Sequence, residues 1–206
     1  MLQTKLRRKK EINKKKIICV VGTRPEAIKM APIILELKSR NDVDCKVLAT
    51  AQHRQMLDQV FGVFQIKPDI DLDIMKPNQK LTKLTSRLLL NLDKVFLEQR
   101  PDIVLSQGDT TTVMTTALTC FYHRIAFGHV EAGLRTWDIS NPFPEEMNRV
   151  VSGKLSEWHF APTEGSRQNL LKEGYDDSQI FVTGNTVIDA LKIAITKKLE
   201  IGESLD

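Results

Sequence analysis

Ile125-Ala126-Phe127-Gly128-His129-Val130, continuing directly into Glu131-Ala132-Gly133-Leu134-Arg135-Thr136, is the stretch from which the fold is read. Its first six residues form a short apolar run with one histidine, which suits a strand buried on both faces. Such strands belong to parallel sheets covered by helices, and such sheets bind ligands beyond the carboxyl ends of their strands. The carboxyl end here delivers Glu131. A polar loop leads to Asn141-Pro142-Phe143-Pro144-Glu145-Glu146-Met147-Asn148-Arg149. A helix is expected to open at Pro144, whose missing N–H costs nothing at the first helical position. Glu145 then sits in the first turn, where the helix dipole favours a negative charge. Arg149, four residues on, is expected to share its face. On their own these residues read equally well as functional carboxylates or as one helix-surface ion pair plus one solvated loop glutamate.

Outward from this stretch, strands and helices alternate. Residues 17–21, 43–50, 103–105, 159–161 and 180–182 read as strands, and 70–74 as a short edge strand. Residues 25–39, 53–64, 81–99, 110–122, 144–156 and 163–173 show helical spacing, and a last helix begins at Asn185. Leu84, Leu88, Leu92 and Phe96 form one face of the 81–99 helix, and Thr163 is the expected N-cap of the 163–173 helix. The fold class is therefore α/β, a doubly wound parallel sheet of Rossmann-like type. The expected organisation is a basic tail without fixed structure at 1–16, one domain at 17–197, and a polar tail at 198–206. The domain reads as complete, with nothing after it.

The formal charge of +4 comes from the tail, since residues 1–16 hold eight basic side chains and one acid. The remainder carries 22 basic against 25 acidic side chains. The tail reads as a solvated extension, or as an arm for nucleic acid or an anionic membrane, and the nucleic-acid reading rests on it alone. It lacks the apolar segment of a signal peptide. No apolar run reaches the roughly 18 residues that a membrane span needs. Cys19, Cys45 and Cys120 are odd in number and set among apolar residues, so they read as core positions in a reducing, cytoplasmic compartment rather than as a disulfide frame or a metal site.

The candidate site is assembled from the segments just beyond the strand ends. Gly22-Thr23-Arg24-Pro25-Glu26, with Lys29 one turn on, is a strand–turn–helix whose helix N-terminus could hold an anion, with Arg24 suited to bidentate contact. It is neither a Walker A loop nor the three-glycine dinucleotide fingerprint. Gln52, His53 and Gln55 offer polar groups to sugar hydroxyls or simply line a helix N-terminus. In Ser106-Gln107-Gly108-Asp109-Thr110-Thr111-Thr112, Asp109 is either an N-cap or a catalytic carboxylate beside Glu131.

Together, Gly22-Thr-Arg-Pro-Glu-Ala, Gln52-His-Arg-Gln, Gly108-Asp-Thr-Thr-Thr, Gly128-His-Val-Glu-Ala-Gly-Leu-Arg-Thr and Pro144-Glu-Glu-Met-Asn-Arg occur in an order and spacing that resembles the non-hydrolysing bacterial UDP-N-acetylglucosamine 2-epimerases. The resemblance runs from about residue 16 to about residue 191 and covers the first of that family's two domains, the first half of a GT-B-like fold. It implies interconversion of UDP-N-acetylglucosamine and UDP-N-acetylmannosamine by elimination and re-addition of UDP, for polysaccharide precursors. It implies Asp109, Glu131, Glu145 and Arg149 as catalytic residues, with Arg24, Lys29, Asp109 and Glu131 on the substrate. It implies a second UDP-sugar site at Gln52, His53 and Gln55, as some members have. It implies no metal, no nicotinamide or other cofactor, and a homodimer. The family's second domain brings most of the nucleotide contacts and a catalytic histidine, which none of His53, His123, His129 and His159 matches. The alternative is a non-catalytic fragment, or one half of a split epimerase whose second domain is separately encoded.

Overall fold

Strand β1 (Lys15–Val21) lies inside the sheet and shows why the chain folds around it. From Ile17 onward its residues are apolar on both faces. Ile17, Cys19 and Val21 enter one core, while Ile18 and Val20 enter the other. This is the period-two alternation of a strand covered on both sides. The computed structural model describes residues 14–50, 54–74 and 79–203. The expected basic tail up to residue 13, and Gln52 and His53, lie outside the described residues.

The chain continues through α1 (Arg24–Ser39), β2 (Val43–Ala49), α2 (Arg54–Phe64), β3 (Ile70–Asp71), α3 (Leu81–Gln99), β4 (Ile103–Gln107) and α4 (Thr111–His123). It goes on through β5 (Ala126–Val130), α5 (Glu145–Lys154), β6 (Trp158–Ala161), α6 (Glu164–Lys172), a 3-10 turn (Asp177–Gln179), β7 (Ile180–Val182) and α7 (Val187–Glu203). The seven strands form one sheet in the order β3-β2-β1-β4-β5-β6-β7, and every pairing is parallel. The order reverses between β1 and β4, the switch point where such sheets open a crevice for ligands. Helices α1, α2 and α7 cover one face around Met30, Ile34, Leu57 and Ala190. Helices α3 and α4 cover the other around Leu88, Leu92, Phe96 and Val113. A small third cluster of Ala132, Ala161, Leu170 and Ile180 seats α6.

The elements differ from the sequence reading at their ends. Strand β1 already includes Lys15 and Lys16, so the sheet begins within the expected tail. Asp102 fixes this start, accepting from the Lys16 backbone at 2.8 Å. Helix α7 runs on to Glu203, beyond the boundary expected at 197. Pro144 stands at the cap position of α5, not inside its first turn. Thr163 caps α6 as expected, accepting from the Ser166 N–H at 3.1 Å. Cys19 and Cys120 are buried, Cys45 is half-buried, and all three are free. Among the described residues no helix is long and apolar enough to cross a membrane.

The two faces of α3 give a direct check. Leu88 is fully buried between helix and sheet, whereas Leu90 is 65% exposed. Leu88→Ala is expected to lower unfolding free energy by about 2–5 kcal/mol. Leu90→Ala is expected to stay within about 0.5 kcal/mol. Urea denaturation followed by circular dichroism measures both, and equal losses would contradict the packing.

Candidate functional site

The carboxyl ends of β1, β4, β5 and β7 place two carboxylate clusters on one rim. The first centres on Glu131, directly after β5. Its backbone lies in the left-handed region (φ 64°), which costs a non-glycine residue on the order of 1–2 kcal/mol and holds only where surroundings over-determine it. Those surroundings are visible. Lys29 Nζ from α1 donates to both carboxylate oxygens, at 2.7 and 2.6 Å. Asn185 Nδ2, just after β7, donates to Oε1 at 3.1 Å. Gln107 Nε2, the last residue of β4, donates to Oε2. The Thr186 hydroxyl donates to the Lys29 carbonyl at 2.6 Å, so the start of α7 is tied to the same turn of α1. Two residues on, Gly133 has φ 87°, and a Cβ there would collide with the Ser166 carbonyl oxygen. Only glycine lets the chain leave the rim by that path.

The second cluster centres on Arg149. Its guanidinium donates to Asp109 Oδ2 at 2.6 Å and to Glu146 Oε2 at 2.9 Å. Glu146 is buried and also accepts from the Thr136 and Trp137 N–H groups, at 2.9 and 3.2 Å. Burial disfavours its charge, but the bonds from Arg149, Thr136 and Trp137 outweigh burial and hold its carboxyl below the ordinary range. For Arg149, burial works against the charge while Glu146 and Asp109 overcome it, so its pKa is raised.

Several sequence expectations change here. Asp109 is not an N-cap; that role falls to Thr110, whose side chain accepts from the Val113 N–H. The expected Glu145–Arg149 ion pair is replaced by Glu146–Arg149, three residues apart. The Glu145 side chain makes no hydrogen bond or ion pair among the described residues. Three residues rather than four bring Glu146 under the loop, where its carboxylate can satisfy two backbone donors. Of the three cations, Lys29 and Arg149 orient carboxylates, while Arg24 is exposed at the start of α1 and has no partner among the described residues. Gln55 is the second residue of α2, but its side chain, like Gln52 and His53, lies outside what is described. Gln107, Glu146, Asn148 and Asn185 join the clusters without being expected from the sequence. Gln107 and Asn185 obey the same strand-end rule that singled out Asp109 and Glu131. Glu146 and Asn148 stand inside the Pro144–Arg149 motif, but nothing in the local sequence sets them apart from their neighbours as site residues.

Below the rim lie two buried histidines. His129 on β5 donates from Nε2 to the Gly108 carbonyl at 2.7 Å. His159, its registered neighbour on β6, packs against Tyr175 with ring centroids 4.5 Å apart. Burial, only partly opposed by the Gly108 bond, lowers the His129 pKa to about 4. Burial, with the charges of His129, Arg135 and Lys154, lowers that of His159 to about 4. On the other side, Glu26 is buried and accepts from the Gly22 and Thr23 N–H groups at 2.5 and 3.1 Å. Burial raises its pKa, against the hydrogen bonds from Gly22, Thr110 and Thr23. Among the described residues no group of three or more His, Cys, Asp or Glu is placed to hold a metal ion.

Fold and rim together define a class, a Rossmann-like doubly wound domain with a carboxylate- and cation-lined edge at its switch point. Comparison with known proteins narrows it. Residues 35–205 match the family profile of UDP-N-acetylglucosamine 2-epimerase. The UDP-N-acetylglucosamine 2-epimerase of Bacillus subtilis is 56% identical over 184 residues, covering 89% of this chain and 48% of that protein. That of Escherichia coli K12 is 57% identical over 176 residues, covering 85% and 47%. The crystal structure of the Neisseria meningitidis enzyme bound to UDP-GlcNAc superposes with a TM-score of 0.86 at 54% identity, covering 88% and 49%. The chain belongs to the UDP-N-acetylglucosamine 2-epimerase family and spans about half the length of the curated relatives it matches. Its sheet is the first half of their GT-B-like fold. A galactosyltransferase, WaaB, shares the fold alone, with a TM-score of 0.56 at 12% identity.

The buried groups can be tested one at a time. Glu146→Gln removes the charge that faces Arg149 and is expected to cost about 1–3 kcal/mol of stability. Glu145→Gln is expected to cost less than about 0.5 kcal/mol; similar thermal shifts for the two would contradict the assignment. The histidines set a pH dependence. Unfolded histidines titrate near 6.5, whereas these two stay neutral in the fold until about pH 4. Between those values the unfolded chain binds more protons, so stability is full above about pH 7 and falls as the pH drops towards 4. The loss approaches about 3 kcal/mol for each imidazole. Denaturation at pH 7.5, 5.5 and 4.5 measures it, and His159→Phe is expected to remove about half of the slope in that window.

Proposed function

We propose that this chain supplies one wall of an epimerase site that interconverts UDP-N-acetylglucosamine and UDP-N-acetylmannosamine, and so serves polysaccharide precursor synthesis in the cytoplasm. One observation carries the reading. The rim presents Asp109 and Glu131, each held by a cation from a neighbouring element, and leaves Glu145 and Arg24 without partners among the described residues. The chemistry asks for such a set. The C2 hydrogen lies beside an acetal carbon and is weakly acidic, so its removal is coupled to loss of UDP. A carboxylate accepts the C2 proton, the C1–O bond breaks with its electron pair going to UDP, and 2-acetamidoglucal forms. UDP then adds back to C1 while a proton is returned to C2 from the opposite face. Nothing is oxidised or reduced, and the proton needs acceptors near both faces.

In this reading Asp109, Glu131 and Glu145 share the proton transfers. Glu145 has the freest lone pairs, since the carboxylates of Asp109 and Glu131 already accept from a guanidinium and an ammonium. Arg24 meets the departing diphosphate, where a preorganised cation stabilises developing charge. Lys29 and Arg149 hold the carboxylates in place. The resemblance further supports a homodimer, and a second UDP-sugar site around Gln52, His53 and Gln55. A separately made second half is the partner that the alternative reading requires.

The test titrates the 206-residue chain with UDP-N-acetylglucosamine, monitoring amide and guanidinium signals by NMR. Weak binding is expected, with shifts at residues 22–29, 107–110 and 131–149 that are lost in Arg24→Ala. Shifts only at the opposite end of the sheet, or none at all, would sink the proposal. Turnover to UDP-N-acetylmannosamine is expected to be small for the chain alone, because charges facing water act far more weakly than in a closed cleft. It is expected to rise when the complementary half of the Bacillus subtilis relative is added, and to be abolished by Asp109→Asn.

A further inference from the structure

The turn that carries Asp109 is held by its backbone as well as by its carboxylate. Gly108 occupies the left-handed region (φ 92°), and its N–H donates to the Val130 carbonyl at 3.0 Å. Its own carbonyl accepts from His129 Nε2 at 2.7 Å. The next carbonyl, that of Asp109 itself, accepts from Asn148 Nδ2 at 2.8 Å. A peptide unit is planar, so a bond to its carbonyl fixes the orientation of the whole plane. The planes on both sides of the Asp109 Cα are thus anchored, one from β5 and one from α5. Only two side-chain torsions of Asp109 remain, and Arg149 settles those through Oδ2.

His129 is an expensive residue for packing alone. It is 1% exposed, and its Nδ1 has no hydrogen-bond partner. A buried polar atom left unsatisfied costs stability that an apolar side chain of the same size would not. A carbonyl can only accept, so the ring must carry its proton on Nε2 and leave Nδ1 bare. Its one bond goes to the turn that aims Asp109. Asn148 repeats the pattern, buried, with its Oδ1 unpartnered and its amide given to the same turn.

We propose that His129 and Asn148 are positioning residues that lock the two peptide planes flanking Asp109, and so aim its carboxylate at the reacting sugar. This rests on reading Asp109 as a carboxylate of the site. Misplacing a reacting group by about 1 Å costs on the order of a hundredfold in rate, which gives such a lock its value.

The experiment uses the full 206-residue chain, labelled with nitrogen-15, at pH 7.5. Long-range proton–nitrogen correlations of the His129 ring are expected to show the proton on Nε2; the Nδ1 tautomer or a doubly protonated ring would overturn the proposal. His129→Leu removes the donor, and His129→Gln returns an amide N–H near the Nε2 position. With leucine, the amide signals of Gly108, Asp109 and Thr110 are expected to shift, and the Arg149 guanidinium signals to lose the slow exchange that the Asp109 contact gives them. Glutamine is expected to restore both. Unchanged Arg149 and turn signals in His129→Leu would overturn the lock. If that variant fails to fold, Asn148→Leu reads the second plane with the same expected loss and the same overturning result. None of these readings needs turnover. A chain that ignores UDP-N-acetylglucosamine therefore sinks the functional reading, and an unmoved turn sinks this one.

Discussion

Glu131 and Lys29 form the contact on which the rim depends. The pair is partly buried, with side-chain exposures of 13% and 24%, so bulk water screens it less than a surface pair. It joins the loop after β5 to the helix after β1. Gln107 adds the end of β4, and Asn185 adds the segment after β7. Four features of the sheet edge thus meet on one carboxylate, whose own backbone is in a region that costs energy. The surrounding hydrogen bonds keep it there, an arrangement that recurs where a side chain must be presented in one orientation.

The Arg149 cluster works the same way one strand over. Glu146 is buried beneath the loop and neutralises the guanidinium from below, while Asp109 meets it from β4. The guanidinium fork suits this double duty, since its donors lie in one plane and reach two carboxylates at once. The adjacent glutamates of α5 have therefore separated in role: Glu146 holds the loop and Arg149, and Glu145 is left with open lone pairs. The lock on the Asp109 backbone completes the arrangement, so that the carboxylate is fixed from the main chain outward.

These clusters sit where strand order reverses. All strands are parallel, so every carboxyl end opens on one edge, and helices α1 and α4 start from neighbouring strands β1 and β4. The backbone N–H groups at the start of α1 face that edge, and Glu26 satisfies two near it by accepting from Gly22 and Thr23. Arg24 stands beside them with no partner of its own among the described residues. An anion arriving at the edge would meet that cation and the positive end of the helix.

The amino-acid sequence by itself determined the alternation of strands and helices, the 81–99 helix to the residue, the Thr163 cap, and which strand ends carry charge. Periodicity and capping chemistry act within a few residues, and neither needs a partner from elsewhere in the chain. It also singled out Asp109, Glu131 and Arg149, because they lie at strand ends or in a helix that returns towards the rim. What only the tertiary structure decided is who holds whom. Lys29 meets Glu131 across 102 residues, Arg149 meets Asp109 across 40, and Asn185 meets Glu131 across 54. A loop that passes over α5 gives Glu146 the ion pair expected of Glu145, and a threonine one residue on takes the cap that is one of two readings of Asp109. The strengths of hydrogen bonds and ion pairs depend on distance and burial in space, and at such separations only the folded sheet sets either one.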